Sequence, residues 1–303
     1  MTSNTLRKPV RWALRRQRIV PYLLVGPTVV LIMVFLVYPV GSVFYYSLQN
    51  YNVTKPWDNG FAGLENFQRL LADPEVGSTL LFTGRWVVVE VGLQLILGLI
   101  LALVINEAFK GRGLVRALSF SPWAVSGVLT TTIWILIYNP ISGWTHYFAD
   151  AGLVDYGTSI LSSPEGAFWG AIVAELWKGI PFFAILILAD LQSASKDLYE
   201  AAHVDGASRL QRFLHITLPH LKSAIILTTL LRAVWEFNNV DLLYTLTGGG
   251  PGGSTTTLPL YVANLAISAK DFGYGSALTV LAFFILLFFS LAYLFFSKFG
   301  KDA

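Results

Sequence analysis

The sequence predicts an all-α, polytopic membrane protein with about six transmembrane helices. Three observations carry this prediction. Apolar residues make up 54% of the 303 and charged residues only 13%, with a mean hydropathy of +0.60, a balance that would leave a soluble domain with more apolar surface than it could bury. Several apolar runs reach the roughly 20 residues that a helix needs to cross a hydrocarbon core. Gly and Pro recur inside those runs, as membrane helices tolerate.

Residues 1–18 form a basic N-terminus carrying Arg7, Lys8, Arg11, Arg15, Arg16 and Arg18 with no acid, and an uncharged run from Ile19 to Thr54 follows. A signal peptide would have an apolar core of roughly 7 to 15 residues and a small-residue cleavage site. This run is longer, and the stretch from Tyr38-Pro39 to Tyr45-Tyr46 offers no such site, so it reads as a retained first span. Further spans are predicted over 80–106, 117–138, 167–193, 223–245 and 274–297, each from a continuous apolar run.

The connections alternate in charge. The N-terminus holds six Lys and Arg, the 108–116 connection three, the 194–222 connection four and the tail two; the opposite side holds Lys55, Arg69, Arg85 and Lys270. Because cytoplasmic loops carry the excess, both termini and the 194–222 loop are expected in the cytoplasm. Lys178 and Arg232 fall within spans. On the other side, Trp57, Phe61, Phe67, Trp144, Tyr147 and Tyr156 suit either the membrane interface or contact with an external protein.

Several functions are excluded at this stage. Cysteine is absent and the four His residues show no metal-ligand spacing, so neither a disulfide nor a metal site is expected. The basic residues flank apolar segments and form no stripe with interleaved aromatics, which argues against nucleic acid as a partner. Gly248 to Ser254 lacks the Lys that a phosphate-binding loop needs and is expected to be a flexible external loop.

Within the 194–222 loop, Ser195 can cap a short helix, Asp197 suits its first turn, and Gly206 can end it in a left-handed conformation. Leu210, Phe213 and Leu214 then form an apolar face until Pro219, which is expected to stop the helix. A helix-turn-helix lying on the membrane surface is the expected result. Small residues Ala201, Ala202 and Ala207 would let a partner backbone approach, and Glu200 and Asp205 could orient the contact.

The order Glu200-Ala201-Ala202, three residues, Gly206, nine residues, Ile216-Thr217-Leu218-Pro219 resembles the loop by which permease subunits of bacterial binding-protein-dependent ABC importers touch their ATPases. Trp177 with Pro181, the run Leu246-Thr247-Gly248-Gly249-Gly250-Pro251, and Pro21, Pro27 and Pro39 in the first span resemble the carbohydrate branch of that family, of the maltose and glycerol-phosphate type. The resemblance spans residues 20–297. It implies a permease domain over 19–298 with a cytoplasmic coupling helix between spans four and five, in which Glu200, Ala201, Ala202, Asp205, Gly206, Ala207, Leu218 and Pro219 engage the ATPase. It also implies the bacterial inner membrane, a second permease subunit, two ATPase subunits and an extracytoplasmic solute-binding protein. No cofactor is expected on this chain; ATP and magnesium would sit on the ATPase partners.

Charged residues inside spans are functional candidates, because lipid tolerates them poorly. Glu175 with Lys178, and Arg232 with Glu236, have the spacing to pair on one helix face, whereas Glu90, with Gln94 one turn on, lacks an evident opposite charge. Trp134 and Tyr138 on the third span, beside Thr130, Thr131 and Thr132, and Trp235, Asn238, Asn239 and Asp241 on the fifth combine hydrogen-bonding groups with aromatic faces. Sugars need both, for their hydroxyl edges and their C–H faces, so these residues with Glu175, Lys178 and Glu236 are the candidate solute path. The alternatives are a permease for another small solute, or a secondary transporter, which would need a repeat and unpaired midplane carboxylates. An intramembrane enzyme would need a convergent constellation that is not seen.

Overall fold

The computed structural model describes residues 11–152 and 155–297; Arg7, Lys8, Lys298 and Lys301 of the charge count lie outside the described residues. Helix α1 (Arg11–Ile32) runs through a π-helical stretch, Met33–Val37, into α2 (Tyr38–Ser47). The Tyr38 N–H reaches back five residues to the Met33 carbonyl, widening the helix directly ahead of Pro39. A proline has no N–H and its ring crowds the carbonyl four residues back; a π turn at that carbonyl lets the helix continue past it.

A two-residue hairpin follows, with β1 (Gln49–Asn50) antiparallel to β2 (Gly60–Phe61) and Gln49 opposite Phe61. Then come α3 (Glu65–Ala72), α4 (Pro74–Asn106), α5 (Arg112–Phe120), α6 (Gly127–Ile137), α7 (Trp144–Asp150) and α8 (Pro164–Leu191). The chain continues with α9 (Lys196–Val204), α10 (Arg209–Arg212), α11 (Leu218–Phe237), α12 (Asp241–Leu246), α13 (Leu258–Asn264) and α14 (Phe272–Phe296). Among the described residues, five helical stretches are long and apolar enough to cross a membrane: Val20–Ser47, Pro74–Asn106, Pro164–Leu191, Arg209–Phe237 and Phe272–Phe296. The expected span over 117–138 is instead a pair, Arg112–Ala124 and Gly127–Ile137, bent by 98°. The bend has a local cause. Pro122 lies in a 3₁₀ turn, Val125 is extended, and Ser126 accepts from the Leu129 N–H to begin a new helix.

The fifth span also departs from expectation, running over Arg209–Phe237 in place of 223–245. Pro219 does not stop it. A second π stretch, Phe213–Thr217, precedes Pro219 and the Leu218 N–H bonds the Phe213 carbonyl, the same accommodation as at Pro39. The helix therefore passes from the loop into the span without a break. It ends at Phe237, where Asn238 folds its amide back onto the Val234 carbonyl at 2.7 Å.

Helices α4 and α8 form the central pair. Their close approach depends on one glycine from each: a Cβ on Gly98 would lie 2.5 Å from the Phe183 Cβ, and a Cβ on Gly179 would collide with the Gln94 amide. Small residues at such crossings are what membrane helices use to pack. One buried cluster joins Trp86, Phe168, Leu243 and Leu260; a second joins Ile105, Phe183, Ile187 and Leu221; a third joins Phe237, Leu258, Tyr274 and Leu278. The first span stands apart, with none of its apolar window buried in the chain. It meets α14 through Phe44, edge-on to Phe283 and Phe284 at 5.9 and 6.5 Å.

The glycine-rich segment after α12 is not the flexible loop expected. Thr255 donates to the Gly250 carbonyl at 2.7 Å and shares a 2.8 Å contact with the Thr247 hydroxyl, while Thr257 caps α13. Thr255 and Thr257 are fully buried, and the Leu258 N–H donates to Thr83 on α4 at 2.8 Å. Threonine hydroxyls here satisfy backbone groups that the turn leaves open.

Candidate coupling loop and translocation path

Helix α9 carries Glu200, Ala201 and Ala202 and ends in a complete Schellman motif. Gly206 adopts φ +77°, its N–H bonds the His203 carbonyl at 3.1 Å, and the Ala207 N–H bonds the Ala202 carbonyl at 2.9 Å. Ser195 stands at the N-cap but makes no side-chain bond. The working cap is Ser208, which forms a capping box with Gln211 at the start of α10. Glu200, Ala201, Asp205 and Gly206 are exposed, Ala202 and Ala207 half-buried. The apolar face is open too, with Leu210 and Leu214 exposed.

Two contacts tie this loop to the bundle. The hydroxyls of Tyr199 and Thr217 lie 3.0 Å apart, linking α9 to the π turn. His220 Nε2 lies 3.1 Å from both the Asp190 carbonyl and the Ser193 hydroxyl, linking α11 to the end of α8. Leu218 and Pro219 belong to the start of α11.

Inside the bundle, Glu90, Gln94, Glu175 and Glu236 form one buried cluster centred on Arg232. Its Nε donates to Gln94 Oε1 at 2.7 Å, its Nη2 donates to Glu175 Oε1 at 2.8 Å, and Nη2 also bridges Glu236 one turn on. Gln94 in turn donates to Glu90 Oε1 at 2.6 Å, and Asn239 reaches Glu236 Oε2 at 3.5 Å. All of these except Asn239 are buried. The i, i+4 pair of Arg232 and Glu236 is as expected; the pairing of Glu175 with Lys178 is not. Glu175 turns to Arg232 on a different helix, and Lys178 turns the other way. Lys178 Nζ and Asp241 Oδ2 flank Gly127, 3.5 and 3.6 Å from the position of a Cβ there.

The path candidates accordingly separate into two groups. Tyr138, Glu175 and Glu236 are buried within this one chain, and the Tyr138 hydroxyl donates to the Gly170 carbonyl at 2.8 Å. All three bond to groups of this same chain, Glu175 and Glu236 to Arg232. Trp235, Asn238 and Asp241 are exposed and Lys178 and Asn239 half-buried. Trp235 is tilted on Phe182 at 5.1 Å, and the partly buried Trp134 contacts Tyr138 and Trp177 at 5.3 and 6.4 Å. Asn239 and Asp241 lie beyond the end of the span, where the chain turns into α12.

Sequence reasoning missed a second cluster, where α3, α4, α13 and α14 meet. Asp73 Oδ2 accepts from Tyr261 at 2.8 Å and from Tyr274 at 2.6 Å, while Arg69 bridges Asp271 at 2.7 Å and lies 4.0 Å above the Tyr274 ring. Burial alone would raise the Asp73 carboxyl, but the bonds from Tyr274, Tyr261 and the Glu75 N–H, with the Arg69 charge, hold it below its ordinary value of 3.8. The only signal in the sequence was the capping position of Asp73 before Pro74.

A bundle of long apolar helices around a buried charge cluster, with a capped helix-turn-helix at one end, has the form of a polytopic membrane transport subunit. The family described as the binding-protein-dependent transport system inner membrane component matches residues 94–300, and the chain belongs to that family. It is 38% identical over 303 residues to the trehalose/maltose transport system permease protein MalF of Thermococcus litoralis, covering 99% of this chain and 100% of that one. The trehalose transport system permease protein SugA of Mycobacterium tuberculosis is 32% identical over 287 residues, 95% of this chain and 91% of its own. The fold matches a subunit of a bacterial ABC transporter involved in the import of alginate, with a TM-score of 0.78 over 95% of this chain and 99% of that one at 22% identity.

Proposed function

We propose that this chain is the membrane-spanning subunit of a binding-protein-dependent ABC importer that forms half of the path for a sugar or related carbohydrate. The observation that carries the reading is the exposed loop bearing Glu200, Ala201, Ala202 and Gly206 on a chain whose relatives over nearly its full length are named as sugar transport permeases. The loop faces the cytoplasm, both termini lie there, and the loop inserts into a cleft on the ATPase. Two ATPase copies hold ATP and magnesium; a second permease supplies the other half of the path; an extracytoplasmic binding protein delivers the solute.

That reading implies transport by alternating access. Closure of the ATPases draws α9 inward, and Gly206 and the Tyr199–Thr217 contact pass that displacement to the start of α11. Because α10, the π stretch and α11 form one continuous helical run from Arg209 to Phe237, a push at the loop arrives beside Trp235, Asn238, Asn239 and Asp241 without a flexible joint. Asn238, Asn239 and Asp241 offer hydrogen bonds to hydroxyls, and Trp235 offers a ring face to a pyranose.

Purification of the intact complex from its native membrane tests this reading. A second permease, an ATPase and a binding protein loaded with a carbohydrate are the expected companions. Recovery of the chain without an ATPase, or sugar uptake that continues unchanged in Glu200→Lys, would overturn it.

A further inference from the structure

Resting on that reading of the loop, we infer that Arg232 is a positioning residue that locks α4, α8 and α11 into one rigid body, so that loop movement reaches the solute path undiminished. Helices α8 and α11 touch through polar groups at two levels. Near the loop, His220 meets Asp190 and Ser193; twelve residues further along α11, Arg232 meets Glu175. Between these levels the pair packs through Leu221 and Ile225 against Ile187, Leu188 and Leu191, beside an open, largely apolar groove of about 430 Å³ lined by residues including Leu186, Ala189, Ala224 and Leu231. Apolar packing is non-directional, so a pair held by it alone can slide along its contact. Arg232 prevents that because its planar guanidinium has donors at fixed angles: Nε holds α4 through Gln94, and Nη2 holds α8 through Glu175 and α11 through Glu236.

The cluster is richer in carboxylates than charge balance needs. Glu90, Glu175 and Glu236 surround a single guanidinium, and Gln94, bonded on both sides, relays the contact to Glu90. Simple neutralisation would require one acid. The observed arrangement fixes the orientation of three helices at once, and Asn239, bonded to Glu236, extends the lock to the segment that bears Asp241.

The chain has no cysteine, so with partner subunits freed of accessible cysteine, spin labels report only the introduced positions. In the complete transporter in proteoliposomes, labels at Ala189→Cys and Ala224→Cys should keep the same separation through the ATP cycle; a separation that changes between the nucleotide-free and ATP-trapped states in the otherwise native chain overturns the lock. In the double variant Arg232→Gln/Glu175→Gln, which removes the guanidinium and the carboxylate that holds it to α8 and keeps Glu236, ATP hydrolysis should survive while solute moved per ATP falls at least tenfold. Arg232→Lys, with charge but no fork, should lie between. Full coupling in the double variant, or loss of assembly that Arg232→Lys restores together with native coupling, would reduce Arg232 to charge compensation. Glu200→Lys run alongside separates the two ideas: uncoupling there with a fully coupled double variant refutes only the lock, whereas native coupling in Glu200→Lys refutes both.

Discussion

The Tyr274 hydroxyl donates to Asp73 Oδ2 at 2.6 Å, joining the first turn of α14 to the cap of α4 across 201 residues of sequence. Tyr261 donates to the same oxygen, and the other oxygen accepts from the Glu75 N–H. One carboxylate thus gathers three helices at the end of the bundle where α4 and α14 begin.

Tyr274→Phe should lower thermal stability in detergent by about 1 to 2 kcal/mol, the worth of a hydrogen bond to a charged group that is only half-buried. Since the folded carboxyl sits below its ordinary value, the stability it supplies is fully present above about pH 4 and is lost as pH falls through the lower folded value. Acid melts of the native chain should show that loss and melts of Asp73→Asn should not; identical acid profiles would remove Asp73 from the account.

Gly206 holds φ +77° with open space around it, so strain rather than collision limits substitution there. Gly206→Ala should cost roughly 1 kcal/mol and leave uptake measurable. Gly206→Pro cannot adopt that φ and loses the N–H bonded to His203, so uptake should vanish while the chain remains in the membrane. Transport at native rates in the proline variant would show that the turn does not carry coupling.

Gly179→Ala forces a methyl group into the Gln94 amide, which is held on both sides by Glu90 and Arg232. The neighbour cannot move without breaking a buried bond. Overpacking of this kind costs about 1 to 3 kcal/mol, and a melt unchanged from native would mean that α4 and α8 stand further apart than described.

Asp241 and Asn238 are exposed on this chain alone. Alanine at either should leave stability within about 0.5 kcal/mol of native while weakening sugar uptake, by up to the 1 to 3 kcal/mol that a lost partner in a dry site costs. Uptake assays paired with melts decide it; lost stability with native uptake would assign them to packing.

The distribution of basic residues predicts that both termini and the 194–222 loop are cytoplasmic. A reporter fused after residue 155 should read outside, and one fused after residue 210 should read inside. The reverse pattern would turn the loop away from the cytoplasm and end its role in coupling.

The spans were legible because length and apolarity are local properties: Pro74–Asn106, Pro164–Leu191 and Phe272–Phe296 all lie close to the runs that predicted them. The loop was legible for the same reason, since a Schellman turn at Gly206 depends on a few neighbouring residues. Proline misled at position 219, because a π turn absorbs in three dimensions what sequence reads as a stop. Sequence showed that charges sit inside spans, and spacing along one helix paired Arg232 with Glu236. Only the tertiary structure decided that Glu175 faces Arg232 instead of Lys178, 57 residues apart against three, and that Asp73 gathers Tyr261 and Tyr274. Those partners are set by how each helix is rotated about its axis when α4 and α8 close on Gly98 and Gly179, a packing outcome that no local pattern encodes.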